Sequence, residues 1–473
     1  KYKDEIKDEA RRALVERFLS RFERQWTQMT IRLRRGVIQG DANDYNVLVN
    51  PGNPKSPKSR YTKISGILDW GDMIESFVAC EPAIAAAYAL LDKEDPLAAI
   101  TQVVKGFHSV YPLSEPEVNA LFDLVCARLC MSVCHSAHQA AARPEDEYLS
   151  ISERPAWEAL EKLDKIHPTL ANSLLRVACG LDAHPNTQKI ANYLLSQSPH
   201  FPISSPPHAA FHIDLSVGSS FLPDPMDLVS ESTARYVFEQ IAAAGAEFGF
   251  GGYGEARMIY NGEAFRNDGS PTAERRTIHL GVDLFMPAGE PIFAPLAGKI
   301  HTFHNNDADY DFGPVILLEH YTDDGTPFYT LYGHLALESL DGLKVGQPVA
   351  AGQRIGWIGA QPINGNWTPH LHFQIIIDHL GLGYDFNGVA RASQREVWLG
   401  LCPDPNLILR IPAECFPKPA PSKEVTLHDR KARIGRNLSI SYSQPLKIVR
   451  GRGQYLYDET GRAYLDGVNN VCH

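Results

Sequence analysis

The chain lacks any excess of positive charge. Its 45 Lys and Arg are outnumbered by 56 Asp and Glu, for a formal net charge of −11. Nucleic-acid binding needs a basic surface against the phosphates, so no nucleic-acid partner is expected. Long hydrophobic runs are missing too. No stretch approaches the ~18 consecutive apolar residues of a membrane span, and no membrane partner is expected. The opening residues, KYKDEIKDEARRALVERFLSRFERQW, read as a charged amphipathic helix without the apolar segment or small-residue cleavage site of an export signal. Cysteine is sparse and scattered, eight in all. That suits reduced thiols better than a disulfide scaffold, and a cytoplasmic location is the expectation. Cys126, Cys130, Cys134 and His138 share a helix face at steps of four. They span ~18 Å of helix, too far for one tetrahedral ion, so the stripe reads as core packing of small apolar thiols.

What is present is length and a change of texture. At 473 residues, 44% of them hydrophobic, the chain exceeds one core and two or three domains are expected. Residues 1–196 read as mostly helical, with a short β section near Val37–Asp69 and a turn-rich loop, NPGNPKSPKSR, inside it. The Ser/Pro-rich stretch SQSPHFPISSPPHAA marks a linker, 197–220. Residues 221–412 form the next domain. Within it, short apolar runs (PVILLEHY, FYTLYGHL, HLHFQIII) alternate with Gly, Asp and Asn turns, which is β-sheet material. Residues 413–473 read as a second linker, ECFPKPAPSKE, and a tail with two short strands around a turn in GQYLYDETGRAYLDG. The fold class is multidomain α+β: a mostly helical domain, an antiparallel β domain and a short β tail.

The middle domain carries the chemistry. HLGVDL holds His279 and Asp283, YGHL holds His334, and HLHF holds His370 and His372. On a strand, side chains repeat every two residues, so His370 and His372 point the same way. One can bind a metal while the other reaches a water on it. Zinc hydrolase sites use three protein N or O ligands and leave a position for water, whose pKa falls toward neutrality. His279, Asp283 and His372 supply such a set. His334 and His370 remain to accept a proton or stabilise an oxyanion. Against this stands the fact that a lone histidine in an apolar strand is usually a satisfied core residue; His301, His304, His320 and His379 lie nearby with no assigned role.

The ordered set HLGVDL, AGEPIFAPLAGKI, YGHL, GQRIGWIG and TPHLHF resembles the lysostaphin-like zinc metallopeptidases of the LytM type, over roughly residues 250–380. The resemblance implies a small antiparallel β domain of the duplicated hybrid motif type, with a groove over zinc. It implies His279, Asp283 and His372 as zinc ligands, His334 and His370 as catalytic histidines, and a peptide or small amide as substrate. Two positions depart from the family. Gln374 stands where Glu is frequent, and AQPINGNW replaces a small Ser/Thr/Gly segment. Both are expected to bear on substrate choice without touching the metal.

The flanks resemble other families. VIQGDANDYNVLV followed by GILDWGDM is similar to the aminoglycoside-phosphotransferase and hydroxylysine-kinase-like fold. That resemblance implies Asp41 as the residue at the acceptor hydroxyl, and Asn46 and Asp69 as magnesium ligands in phosphoryl transfer. Gln39 replaces a usual His, and only a kinase-like C-lobe is visible, so magnesium and ATP are expected only when the nucleotide-clamping lobe completes it. The last residues, QPLKIVRGRGQYLYDETGRAYLDGVNNVCH, resemble the opening of class III pyridoxal-phosphate aminotransferases. Their lysine and phosphate loops lie further on, so pyridoxal phosphate is expected only in a longer protein, as is the homodimer that such aminotransferases imply. The expectation is a piece of a three-domain fusion whose middle domain is a zinc-dependent peptide or amide hydrolase. The alternative is that the middle domain is a metal-binding scaffold, while the intact protein phosphorylates an amino alcohol and acts on the product as an aminotransferase or phospholyase.

Overall fold

The computed structural model describes residues 2–51, 61–142, 148–197, 200–204, 210–223, 227–260, 262, 265–266, 270, 272–435, 440 and 444–467. Most of the turn-rich loop at 50–60, part of the first linker and the last residues, Cys472 included, lie outside these. The chain divides into two compact units, Lys1–His184 and Pro185–His473.

The first unit is built on helices, the longest being Glu9–Thr30 and Glu115–Ala142. Leu121, Val125, Leu129 and Val133 run down the buried face of the second at helical spacing. Each fully buried aliphatic side chain contributes roughly 1.5–3 kcal/mol. Cys126, Cys130 and Cys134 lie in the same buried face, and burial pushes the Cys126 thiol up to about 12. They behave as small apolar groups. This helix does carry an 18-residue window of mean hydropathy 1.4, so one segment is long and apolar enough to cross a membrane. That corrects the reading from run length alone. Within the unit it is a core helix: 61% of that window is buried, and its Glu117 and Asp123 are paired with Arg34 at 2.6 Å and Arg21 at 2.5 Å. Local caps follow the sequence; Asp95 accepts from Ala98 N at 2.9 Å ahead of the helix Pro96–Val110. Two antiparallel strand pairs, Arg35–Ile38 with Ile74–Phe77 and Val47–Pro51 with Tyr61–Ile67, frame the kinase-like motif.

The second unit centres on an eight-stranded sheet. In spatial order its strands are Pro348–Val349, Gly298–Asn306, Gly313–Tyr321, Pro327–Gly333, Leu371–Ile376, Val282–Phe285, Phe248–Gly251 and Ala210–Ile213. All neighbours are antiparallel except the last pair, which is parallel and joined through the helix Glu231–Ala243, as parallel pairing requires. One face buries Phe250, Leu284, Ile316, Leu318, Tyr332 and Phe373. Two pairs outside the sheet, Arg276–His279 with Val389–Arg391 and Pro291–Phe293 with Arg354–Trp357, complete the frame.

Three sequence boundaries shift. The helix Thr187–Ser196 packs with the second unit, Thr187 Oγ1 donating to Gly400 O at 2.9 Å. The stretch read as a linker contains the strand Ala210–Ile213, and its Ile213, Leu215 and Val217 are core residues. The tail forms the two strands expected around the turn, Tyr455–Asp458 and Ala463–Leu465, and a third, Ile448–Arg452, pairs with them from ahead of that stretch. Its Tyr457 and Ala463 join that same core, and Arg450 Nε donates to Val217 O at 2.6 Å.

Candidate metal centre

The sheet register places the site. Asp283 and His372 are direct partners across neighbouring strands, and Gly333, one residue before His334, faces His372 from the other side. His279 ends the strand that leads into the Gly281 turn. A Cβ on Gly281 would lie 2.6 Å from Phe373 O and 2.8 Å from the His372 ring. Only glycine brings the turn this close.

Three atoms converge: His279 Nε2 and His372 Nδ1 are 3.0 Å apart, and Asp283 Oδ1 lies 3.1 and 3.2 Å from them. Zinc bonds of ~2.0–2.1 Å at tetrahedral angles set donor atoms roughly 3.3 Å apart. The other nitrogens are committed. His279 Nδ1 donates to Gly252 O at 3.1 Å, and His372 Nε2 to Gln374 Oε1 at 2.9 Å. Each ring thus turns a lone pair, not a proton, toward the common point. Asp283 Oδ2 accepts from Arg257 Nη1 at 2.5 Å, leaving Oδ1 for the centre. Three lone pairs meeting in this way form a set that could hold a cation. Among the described residues, no other group of His, Cys, Asp and Glu gathers in this way.

Electrostatics agree. Burial, then Arg257, depresses His279 to about 3. Burial alone would raise Asp283, but His279, Arg257 and His370 hold its carboxyl well below the usual range. Arg257 is itself fully buried, bonding Glu255 at 2.8 Å and the Tyr260 hydroxyl at 3.1 Å. Burial pushes Glu255 up to about 7. Its oxygens nonetheless accept from Arg257 Nε and, at 3.2 Å, from Leu215 N, so the carboxylate is the form these contacts serve.

His334 and His370 stand beside the trio. Their ring centroids are 4.4 Å apart, and His370 Nε2 is 3.7 Å from Asp283 Oδ1. His334 Nδ1 donates to Asn364 O at 2.9 Å and His370 Nδ1 to Thr368 O at 2.7 Å. Burial lowers both, so each presents a neutral Nε2 able to accept a proton. His334 sits at φ 63°, held there by the loop that carries Asn364. The structure therefore gathers all five middle-domain residues named from the sequence.

Gln374 does not face the common point; it accepts from His372 Nε2 on the far side of that ring, and its own Nε2 donates to Asn387 O and Cys402 Sγ, both at 3.2 Å. Arg257, Glu255 and Tyr260 went unread because no spacing rule marks a buried arginine. In the first unit, Asn46 Nδ2 donates to Asp41 O at 3.0 Å, and Asp41 Oδ1 accepts from Tyr88 at 3.0 Å. Gln39 joins them to Asp69, accepting from Asp41 N and donating to Asp69 O. His301, His304, His320 and His379 do not belong to the centre; His320 bonds Ala297 O and Thr330 within the sheet.

Residues 277–382 match the family model of Peptidase family M23. This segment is an M23 metallopeptidase-type domain. The chain is 32% identical to the catalytic domain of the antimicrobial peptidase lysostaphin from Staphylococcus simulans, covering 25% of this chain and 80% of that one, with a TM-score of 0.18. It is 32% identical over 164 residues to a hydroxylysine kinase of Mus musculus, covering 34% of this chain and 43% of that protein. It is 53% identical over 53 residues to an alanine–glyoxylate aminotransferase 2-like protein of Drosophila melanogaster, 11% of each. The chain thus joins kinase-like, M23 and aminotransferase-like parts, and spans less than half the length of that kinase.

Proposed function

We propose that the M23 domain hydrolyses a peptide or amide bond, with His279, Asp283 and His372 holding zinc. The carrying observation is the convergence of three lone pairs whose opposite faces are all committed to hydrogen bonds. Zinc bound there supplies a Lewis acid that polarises the acyl oxygen and acidifies water. The chain's own residues do the rest. His334 and His370 are neutral, adjacent and oriented by carbonyls, so either Nε2 can take a proton from the attacking water. The same imidazole then delivers it to the leaving nitrogen. The water oxygen bonds to the acyl carbon, the C–N bond breaks, and an acid and an amine result. The apolar burial of both rings keeps them neutral at working pH. Metal content of purified wild type and His372→Ala tests the ligand set: about one zinc per chain, lost in the variant, is expected. Peptide hydrolysis that survives the double variant His334→Ala/His370→Ala would overturn the proton-transfer role.

A second reading concerns the longer protein and rests on the kinase and aminotransferase relatives. It phosphorylates an amino alcohol, with Asp41 at the hydroxyl and Asn46 and Asp69 toward magnesium and ATP, and an aminotransferase-like part with pyridoxal phosphate acts on the product. The linked hydrogen bonds that join Asp41, Asn46, Gln39 and Asp69 favour it. ATP consumption by the longer protein with hydroxylated amines, abolished by Asp41→Asn, is the test.

A further inference from the structure

His372 turns Nδ1 to the common point, and its Nε2 meets Gln374 Oε1 at 2.9 Å. Whether Gln374 shows that ring an oxygen or a nitrogen is decided on its other side. The amide nitrogen gives one proton to Asn387 O and the other to Cys402 Sγ, both at 3.2 Å. Turned over, the amide sets its oxygen against Asn387 O, acceptor to acceptor, and its N–H against His372. The ring then has to carry its own proton on Nδ1, and a protonated nitrogen binds no ion. Gln374 is fully buried, so solvent does not substitute for these partners. The same shell reaches the other histidine ligand. His279 Nδ1 meets Gly252 O at 3.1 Å. The next residue, Tyr253, places its hydroxyl 2.6 Å from Cys402 O and 3.0 Å from Leu399 O. The strand Val389–Arg391, just past Asn387, pairs with the strand that ends in His279. Gly252, Tyr253, Asn387 and Cys402 all lie outside the residues 277–382 that match the M23 model.

Resting on the zinc assignment of the hydrolase reading, we infer that Gln374 is a positioning residue that selects Nδ1 of His372 as the ligand atom, and that Cys402 and Tyr253 tie it to the support of His279. The centre is braced from both flanks of the M23 segment, and one hydrogen-bonded network sets both imidazole rings. Supports of this kind govern ligand orientation and metal affinity. A glutamate at 374 would still accept from His372, but it would press a buried carboxylate on Asn387 O.

The experiment uses the full chain, metal-free and zinc-loaded, with isotope-labelled histidine. Long-range proton–nitrogen correlation spectra read which ring nitrogen carries the proton, and His372→Gln identifies the signal. Metal-free wild type is expected to hold the His372 proton on Nε2. Gln374→Met should lose that preference and weaken zinc ~10–100-fold in competition with a chromophoric chelator. Gln374→Glu should keep the tautomer yet melt lower, which separates positioning from stability. Tyr253→Phe should weaken zinc as well, and its effect should be smaller in the Gln374→Met background, because both act in one network. Unchanged tautomer and zinc affinity in Gln374→Met overturn the inference. A His372 proton on Nδ1 in metal-free wild type overturns it whatever the variants do. Effects of Tyr253→Phe and Gln374→Met that simply multiply overturn the tie to His279. A wild type that binds no zinc sinks the hydrolase reading, while the metal-free spectrum still decides which nitrogen Gln374 selects.

Discussion

Asp283 is shared between a metal position on one oxygen and a buried guanidinium on the other. Arg257 therefore sets which oxygen faces the centre. Truncating it to Met leaves Asp283 and Glu255 without their buried cation, which costs roughly 3–5 kcal/mol of stability. Losing such a support of a ligand is expected to weaken zinc ~10–100-fold. Competition with a chromophoric chelator measures the affinity, and Arg257→Lys should recover only part of it, because one ammonium cannot match the fork to two carboxylates. Unchanged affinity in Arg257→Met would end this account. His320 offers a separate pH signature away from the metal. Burial lowers it to about 4 from an unfolded value near 6.5. The folded state therefore binds fewer protons, and this group's stability is fully present above pH 6.5. It declines as pH falls toward 4, by about 3 kcal/mol at most. Thermal midpoints between pH 7 and 4 should fall more steeply for wild type than for His320→Gln.

At the scale of elements, the site depends on how closely the Gly281 turn approaches the strand Leu371–Ile376. In Gly281→Ala the added Cβ meets backbone and a ligand ring, neither of which is a flexible tip. Overpacking of this kind costs typically 1–3 kcal/mol, and here it also displaces His372. A lowered melting temperature together with weakened zinc binding is expected. Gly106→Ala, inside the helix Pro96–Val110 with open space around it, should instead stabilise by roughly 0.5–1 kcal/mol. These elements differ in how legible they were. Leu371–Ile376 and Val282–Phe285 announce themselves through apolar runs that hold His372 and Asp283, while His279, His334 and His370 lie at or just beyond strand ends, so the ordered motifs and the family they resemble, more than strand spacing, marked the five central residues. Ala210–Ile213 could not: four residues after a Pro- and Ser-rich stretch carry no periodicity, and the sheet edge supplies their order. Arg257 was hidden for a related reason. Its burial is fixed by Asp283 and Glu255 together, and a charged residue in sequence reads as surface until its partners are placed.

For the whole molecule, the decisive feature is that each unit owns a core. Leu121, Phe122 and Trp157 are fully buried in the first, while Phe250, Phe328 and Phe373 are fully buried in the second, around the sheet that carries the metal centre. A ligand that binds only the native state stabilises what it binds, by about 4 kcal/mol at a thousandfold excess over Kd. For a unit of this size that is on the order of 10 °C. Calorimetry of the full chain is therefore expected to resolve two transitions, of which zinc raises one. His372→Ala should abolish that shift and leave the other transition in place. Leu121→Ala, which opens a cavity in the helical core, should lower the zinc-insensitive transition alone, by the 2–5 kcal/mol of a buried leucine. One transition moving as a whole with zinc would mean that the two cores unfold as one. A zinc shift that persists in His372→Ala would place the ion elsewhere, and the hydrolase reading would lose its support.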